Sequence, residues 1–280
     1  MGKCTHCGEP AGWLRRKHRA CEDAFKAAGS AITAQVEQAV LEGLDEGPLL
    51  TRVKELAAEG RVTGENYVNV VGNGLVKAVQ TFLDDKMISA EEQASIHRYQ
   101  KALDITDAYL DNVGVMPVLI KASLLRSIQA GEMPNPPAEL ALNLPFLFQK
   151  SEKLLWTFAG VEFLERVTRT EYQGRSQGVS IRITKGVYYR TGTFKGNPVS
   201  VESMKSHGKG ILAFTTKHVY YASDTKSFKV PYGKIVAVQM FTDALQLQKD
   251  GTTSKPMIFK GIDGWFAANL VSAVGENLPS

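Results

Sequence analysis

The sequence has few cysteines: Cys4, Cys7 and Cys21 are the only three among its 280 residues. This scarcity excludes a disulfide framework, and reduced cysteines predict a cytoplasmic protein. The chain also lacks any apolar run approaching the roughly 18 residues of a membrane-spanning helix. No apolar core of a secretion signal follows its first residue, so we expect no secretion.

Motifs of the common enzyme classes are equally absent. The sequence contains no P-loop, no H-E-x-x-H zinc-protease motif and no G-x-S-x-G nucleophile elbow. Gly72-Asn-Gly74 lies within a helical pattern rather than after a strand, so it predicts close helix packing rather than a dinucleotide site. The sequence therefore predicts a non-enzymatic protein with no small-molecule substrate.

What the N-terminus does contain is a metal-ligand pattern. Cys4, Cys7, His18 and Cys21 are spaced C-x2-C-x10-H-x2-C. Four such ligands suit tetrahedral Zn²⁺, and a set that is complete without water indicates a structural site. We place His18 and Cys21 on one helix face, within a helix that begins near Leu14, and Gly8 in the tight turn after Cys7. A redox C-x-x-C and a His6 ligand are the alternatives, of which the first lacks the βαβ pattern it needs.

Charge divides the chain into three segments. Residues 1–27 carry a net charge of +3, residues 28–160 carry −6 and residues 161–280 carry +7. Separate modules with separate surfaces are the expected result. We predict an α+β multidomain protein with a zinc knuckle and helix at 1–28, a helical domain at 29–131, a proline-rich linker at 132–144 and a β domain at 145–280.

Apolar residues recur with helical spacing through the second segment. Ser89 and Glu92 form a capping box at the start of one helix, and a last helix follows the joint at Asp104–Thr106 and runs to Gly131. The joint before Ser89 lacks the ligand pattern of an EF-hand. This series of short helices resembles bacterial tellurite-resistance-B-like helical domains.

Beyond the linker, ten short apolar or alternating runs bounded by turn residues predict antiparallel strands. They are followed by one helix, Gly264–Val274, which carries Trp265. The hairpin Gly210–Tyr221 and the strand Phe228–Val236 make this region similar to bacterial PH-like and GRAM-like domains. The resemblance implies an antiparallel β-barrel or sandwich of PH type, closed by the C-terminal helix.

Two groups of basic residues are candidate contacts. Those around the zinc helix either stabilise the thiolates or contact nucleic acid: Arg15, Arg16, Lys17 and Arg19. Those in the β domain are candidates for anionic lipid or peptide: Lys185, Arg190, Lys195, Lys205 and Lys209. We expect His97 and His218 to be surface residues.

Together these features predict a non-enzymatic, zinc-containing interaction or adaptor protein of the bacterial cytoplasm, with a role in stress or defence. A protein partner is the first expectation. The alternatives are a peripheral membrane protein that binds anionic lipid through the PH-like domain, and a nucleic-acid-binding protein that uses the basic zinc helix.

Overall fold

The chain has the α+β composition that the sequence predicts. A computed structural model describes residues 2–12, 16–141, 143–184, 187–251 and 254–277, and of residues 139 and 168–202 it describes the backbone alone. Contacts divide the chain into two units, Met1–Glu132 and Met133–Ser280. The division falls at the start of the proline-rich linker.

The first unit contains a small hairpin followed by helices. Its elements are β1 (Gly2–Lys3), β2 (Pro10–Gly12), α1 (Arg19–Glu42), α2 (Glu46–Gly60), α3 (Gly64–Phe82), α4 (Ala90–Ala102), α5 (Asp107–Asn112) and α6 (Met116–Gln129). The continuous helix α1 includes residues on both sides of the boundary that we predicted at residue 28.

Local signals set several helix ends. The amide of Gly43, at a φ of 65°, closes the end of α1 by donating to Ala39 O. Ser89 and Glu92 form the predicted capping box, because Ser89 Oγ accepts from the Glu92 amide and Glu92 Oε2 accepts from the Ser89 amide. The single last helix that we predicted is wrong: α5 and α6 are separate, and Gly114 lies between them with a φ of 75°.

The core of this unit is formed where the helices cross. Ile32, Leu75 and Tyr99 are almost fully buried in it. A Cβ on Gly74 would lie 2.7 Å from the carbonyl oxygen of Thr33, so α1 and α3 approach each other too closely for any side chain there. The Gly-Asn-Gly sequence is therefore a packing feature, as predicted.

The second unit is a seven-stranded antiparallel sheet followed by a helix. Its elements are β3 (Leu154–Thr184), β4 (Val187–Thr215), β5 (His218–Ser223), β6 (Ser227–Pro231), β7 (Ile235–Met240), β8 (Ala244–Lys249), β9 (Met257–Lys260) and α7 (Gly264–Glu276). The strand order is β6-β5-β4-β3-β9-β8-β7. Residues Glu162–Glu165 of β3 pair with both β4 and β9 and so join the two halves of the sheet.

Strands β3 and β4 correct the predicted strand pattern. We expected three short strands between residues 154 and 183 and two between 187 and 215, whereas the structure has one long strand in each region. Glycines that lie between the predicted strands pair with each other, Gly174 with Gly196 and Gly178 with Gly192, so the ladder continues through them.

Helix α7 packs its apolar side on the sheet. Asp263 caps it by accepting a hydrogen bond from the Phe266 amide, and the Phe266 ring meets Trp156 edge-on with centroids 4.9 Å apart. In the described part of the chain, no helix combines the length and the apolar character needed to cross a bilayer.

Candidate metal centre and anion-binding cleft

A tight turn at the N-terminus brings the predicted metal ligands together. Between β1 and β2, the amide of Cys4 donates to Glu9 O and the amide of Gly8 donates to Cys4 O. Gly8 has a φ of 77°, a conformation in which glycine avoids the strain of a side chain. The turn places Cys4 and Cys7 beside His18 and Cys21.

The geometry of these four side chains fits a tetrahedral metal. Their ligand atoms all lie within 4.8 Å of one another, and His18 Nδ1 is 3.3 Å from Cys7 Sγ and 3.8 Å from Cys21 Sγ. Zinc bonds of about 2.3 Å to sulfur and about 2.0 Å to nitrogen separate neighbouring ligand atoms by roughly 3.5–3.8 Å. The donor set could therefore hold a metal ion with little rearrangement.

His18 is oriented for this role by a second contact. Its Nε2 lies 3.0 Å from Pro10 O, a contact in which the ring nitrogen donates, and its Nδ1 faces the sulfur atoms, as a metal ligand requires. We predicted that His18 lies inside a helix, and this is wrong. It is the N-cap of α1, with extended backbone, and its carbonyl accepts from Glu22 N. His6 lies outside the set, and its ring packs against Phe25 with centroids 4.6 Å apart.

The thiols differ in their tendency to ionise. A hydrogen bond from the His18 amide to Cys4 Sγ is the main reason why the pKa of Cys4 falls to about 6. Burial, together with the neighbouring Cys7, raises the pKa of Cys21. A thiolate is the metal-binding form, so Cys4 is prepared for metal at neutral pH, whereas Cys21 needs a positive neighbour.

Arg61 supplies a positive charge beside Cys21. Its Nη1 donates to Cys21 Sγ over 3.5 Å. Arg61 ends α2 with a left-handed φ of 56°, and a Cβ on the preceding Gly60 would lie 2.2 Å from Ala28 Cβ in α1. This close contact between helices fixes Arg61 next to the metal-ligand set. Sequence spacing could not predict this contact, because Arg61 is 40 residues from Cys21.

The basic residues predicted around the zinc helix are solvent-exposed where the structure describes them. Arg16, Lys17 and Arg19 are exposed, and Arg19 lies 3.9 Å from Asp23 in a weak surface pair. Arg15 lies outside the described residues. The contact with a metal-ligand sulfur comes from Arg61.

A cleft of about 520 Å³ opens in the second unit. Phe163 and Phe228 supply its apolar wall, and three lysines from two separate turns line it: Lys226 before β6, and Lys249 and Lys255 at the end of β8 and before β9. Lys226 Nζ is held 2.7 Å from Glu165 Oε2, and Lys249 and Lys255 are exposed. Ser254 Oγ also lines the cleft and has no hydrogen-bond partner within the described chain.

Of the basic residues that we predicted for lipid or peptide contact, the two whose side chains the structure describes, Lys205 and Lys209, do not line this cleft. Lys205 and Lys209 are exposed on β4, opposite Glu165 and Glu162 of β3. Lys185 lies outside the described residues, and Arg190 and Lys195 are described as backbone of β4 only. Sequence spacing could not identify the cleft lysines, because they meet only when the sheet folds.

The second unit also contains a buried ionisable cluster. Glu152 accepts hydrogen bonds from the Gln149 amide at 3.1 Å, from the Tyr220 hydroxyl at 2.8 Å and from Thr215 Oγ1, and its Oε1 lies 2.8 Å from His218 Nδ1. The prediction that His218 is a surface residue is wrong, since it is only 8% exposed. The strand alternation misled us because residues before β3 cover the outer side of β5, where Phe146 and Phe148 pack on Tyr220.

The hydrogen bonds determine the protonation of this cluster. Burial raises the pKa of Glu152, but the hydrogen bonds from Thr215, Gln149, His218 and Tyr220 outweigh it, and the pKa lies below the usual 4.5. Burial and the Glu152 carboxylate raise the pKa of Tyr220, so the phenol remains a donor. Because both carboxylate oxygens are already engaged, the cluster serves to attach the segment before β3 to the β4–β5 turn.

Comparison of the chain with protein-family models and with curated proteins finds no match.

We expect Arg61→Gly to separate the metal contact from the backbone strain. Glycine relieves the left-handed conformation, so the metal-free protein should gain up to about 1 kcal/mol in free energy of unfolding. Loss of the contact to Cys21 should weaken metal binding about 10–100-fold. Urea unfolding and competition with a chromogenic chelator would measure the two effects.

Asp104→Gly is the matched control, because Asp104 has a similar φ of 54° and is not one of the metal-ligand set. It should gain similar stability with unchanged metal affinity. Equal metal affinity in Arg61→Gly and the wild type would show that the Arg61 contact is irrelevant to the metal.

We expect Glu152→Gln to destabilise the second unit by roughly 3 kcal/mol, because it leaves buried donors without their acceptor. The folded-state pKa of Glu152 is lowered, so its contribution is present above pH 4.5 and is lost as the pH falls through the folded-state value. The gap between variant and wild type should therefore shrink in acid. Urea unfolding followed by tryptophan fluorescence would measure it in a protein in which Trp13 is replaced by Phe, because the other two tryptophans, Trp156 and Trp265, lie in the second unit. Glu162→Gln, at a more exposed carboxylate, should cost less than about 1 kcal/mol.

Proposed function

We propose that the protein is a non-enzymatic, zinc-containing binding protein whose metal is structural. The observation that carries the proposal is the complete donor set of Cys4, Cys7, His18 and Cys21 within 4.8 Å. Three thiolates with one imidazole favour zinc over harder cations. Four protein ligands leave no position for a catalytic water, which argues for a structural metal.

The need of the N-terminal segment for a metal supports this role. Among its described residues before α1, only Cys4 and Ala11 are buried apolar residues. So small a core cannot offset the entropy lost when the segment folds. A bound zinc ion would supply the missing free energy and would fix the segment to α1.

We also propose that the second unit is a PH-type domain that serves as an interaction surface. Seven antiparallel strands followed by α7 agree with the element order that the resemblance implies. Val236, Met240 and Phe241, on and beside the edge strand β7, are 61%, 57% and 43% exposed. Exposed apolar residues at a sheet edge support a protein partner for this unit.

The cleft favours anionic lipid as a second candidate ligand. Lys226, Lys249 and Lys255 surround an apolar wall, and Ser254 offers an unused hydroxyl. A phosphorylated headgroup would satisfy the lysines, and its acyl or glycerol part would contact Phe163 and Phe228. Glu165, which already holds Lys226, would limit the affinity for such an anion.

We expect the purified protein to contain one zinc ion per chain, measured by elemental mass spectrometry and chelator competition. Cys7→Ser and His18→Ala should each lose most of the bound zinc, because each removes one of four ligands. Hydrogen exchange should then show loss of protection in the N-terminal segment, while α2–α6 stay protected.

His6→Ala is the control and should retain the metal. Loss of zinc in His6→Ala together with retention in His18→Ala would make His6 the ligand. A protein that binds no zinc in either assay would refute the proposed metal.

For the cleft, we expect Lys249→Gln/Lys255→Gln to weaken binding to anionic vesicles about 30-fold, since each lysine near such a surface contributes about 1 kcal/mol. Vesicle co-sedimentation at low and physiological salt would measure it. Lys205→Gln/Lys209→Gln, with the same charge change outside the cleft, should have a smaller effect. A larger effect of the second pair would assign lipid contact to β4 rather than to the cleft.

A further inference from the structure

The hairpin of β3 and β4 extends far beyond the rest of the sheet. The pairing of β3 with β9 ends at Glu165, and the pairing of β4 with β5 begins at Gly210. From Arg166↔Met204 to Thr184↔Val187, the two strands pair with each other and with no further strand in the described chain. We call residues 166–205 the ribbon. At about 3.3 Å per residue it is roughly 60 Å long.

An isolated two-stranded hairpin is at best marginally stable in water. The ribbon has no third strand to cover it among the described residues, so a bound partner would add to its stability. Its composition indicates which kind of partner that is.

The ribbon carries most of the net positive charge of the second unit. It contains eight Lys or Arg residues and two Glu, whereas the remainder of residues 133–280 is nearly balanced, with ten basic and nine acidic residues. Such a concentration of positive charge on a thin extension favours a polyanionic partner.

The register places aromatic residues and glycines on the same face of the ribbon. Successive pairs on this face are Tyr172↔Pro198, Gly174↔Gly196, Ser176↔Phe194, Gly178↔Gly192, Ser180↔Arg190 and Arg182↔Tyr188. One glycine pair therefore lies between Tyr172 and Phe194, and the other lies with Ser180↔Arg190 between Phe194 and Tyr188, whereas Tyr189 is on the opposite face. Glycine within a strand marks a place where a ligand or another chain approaches the backbone closely.

This pattern distinguishes among polyanions. A bilayer favours apolar side chains that insert into it, and glycine pairs offer none. Duplex nucleic acid keeps its bases stacked on each other, so aromatic residues gain little from it. Unpaired bases stack on aromatic side chains while basic residues follow the backbone phosphates.

We propose that the ribbon binds single-stranded nucleic acid. Bases stack at Tyr172, Phe194 and Tyr188, and the glycine pairs between them let the strand lie close to the backbone. Arg175 and Lys195 are paired on the opposite face. They neutralise phosphates where the nucleic acid passes around the edge of the ribbon. The proposal is independent of the zinc site and of the lipid cleft.

The test uses the full-length protein and fluorescence anisotropy with a single-stranded oligonucleotide, the matching duplex and anionic vesicles as competitors. We expect the single strand to bind most tightly. Tyr188→Leu and Phe194→Leu should each weaken binding at least about 5-fold, because each removes one stacking platform. Arg175→Gln/Lys195→Gln should flatten the salt dependence by about 1.4 in log–log slope.

A glycine variant separates binding from folding. Gly178→Thr/Gly192→Thr raises the strand propensity of the ribbon but places side chains where the nucleic acid would approach the backbone. Circular dichroism should show unchanged strand content, while the affinity for the oligonucleotide falls. The cleft variant Lys249→Gln/Lys255→Gln should bind the oligonucleotide normally.

Three results would overturn the proposal. Anionic vesicles could displace the labelled oligonucleotide better than unlabelled single strand does, and the ribbon variants could bind vesicles more weakly. This result would make the ribbon a membrane contact. Duplex could bind equally well with no effect of the aromatic variants, which would indicate charge alone. Oligonucleotide binding could survive every ribbon variant but be lost in Arg16→Gln/Lys17→Gln/Arg19→Gln, which would assign it to the first unit.

Discussion

The close approach of α1 and α2 at Gly60 is the constraint on which the metal centre depends. Because Ala28 of α1 leaves no room for a side chain at Gly60, the end of α2 is held beside the start of α1, and Arg61 reaches Cys21. The helical core therefore determines where one metal ligand and its counter-charge lie. The helices position Cys21 and Arg61, and the N-terminal turn adds Cys4 and Cys7. The affinity of the site for a metal ion is therefore expected to depend on helix packing.

In the second unit the corresponding constraint is polar. Glu152 is a buried carboxylate. Such a group is tolerated because hydrogen-bond donors converge on it from the residues before β3, from the β4–β5 turn and from β5. The apolar residues before β3 then cover the sheet beside Tyr220. Burying the charge contributes little net stability, but removing one partner is costly, so the cluster fixes one arrangement of the segment rather than several.

Features encoded within a few residues could be predicted from the sequence, and features assembled from distant residues could not. The metal-ligand spacing, the Ser89 capping box and the C-terminal helix are local, and the structure has all three. The burial of His218 depends on a segment 66 residues away, and the cleft brings Lys226 of the β5–β6 turn to the lysines of the β8–β9 turn. The same reason explains why β3 and β4 were predicted as several short strands. A glycine favours a turn when only its sequence neighbours are considered, and its pairing with a glycine of the other strand is visible only in the structure.

The N-terminal segment and the ribbon share one physical deficit. Each is too thin to bury enough apolar surface to offset its own ordering entropy. The N-terminal segment carries four metal ligands in place of a core. The ribbon has no comparable ligand set among its residues, but it has an excess of six positive charges and aromatic residues spaced by glycine. The two proposals therefore have one physical basis: a bound zinc ion would stabilise the N-terminal segment, and a bound polyanion that matches the positive charge and the aromatic positions would stabilise the ribbon.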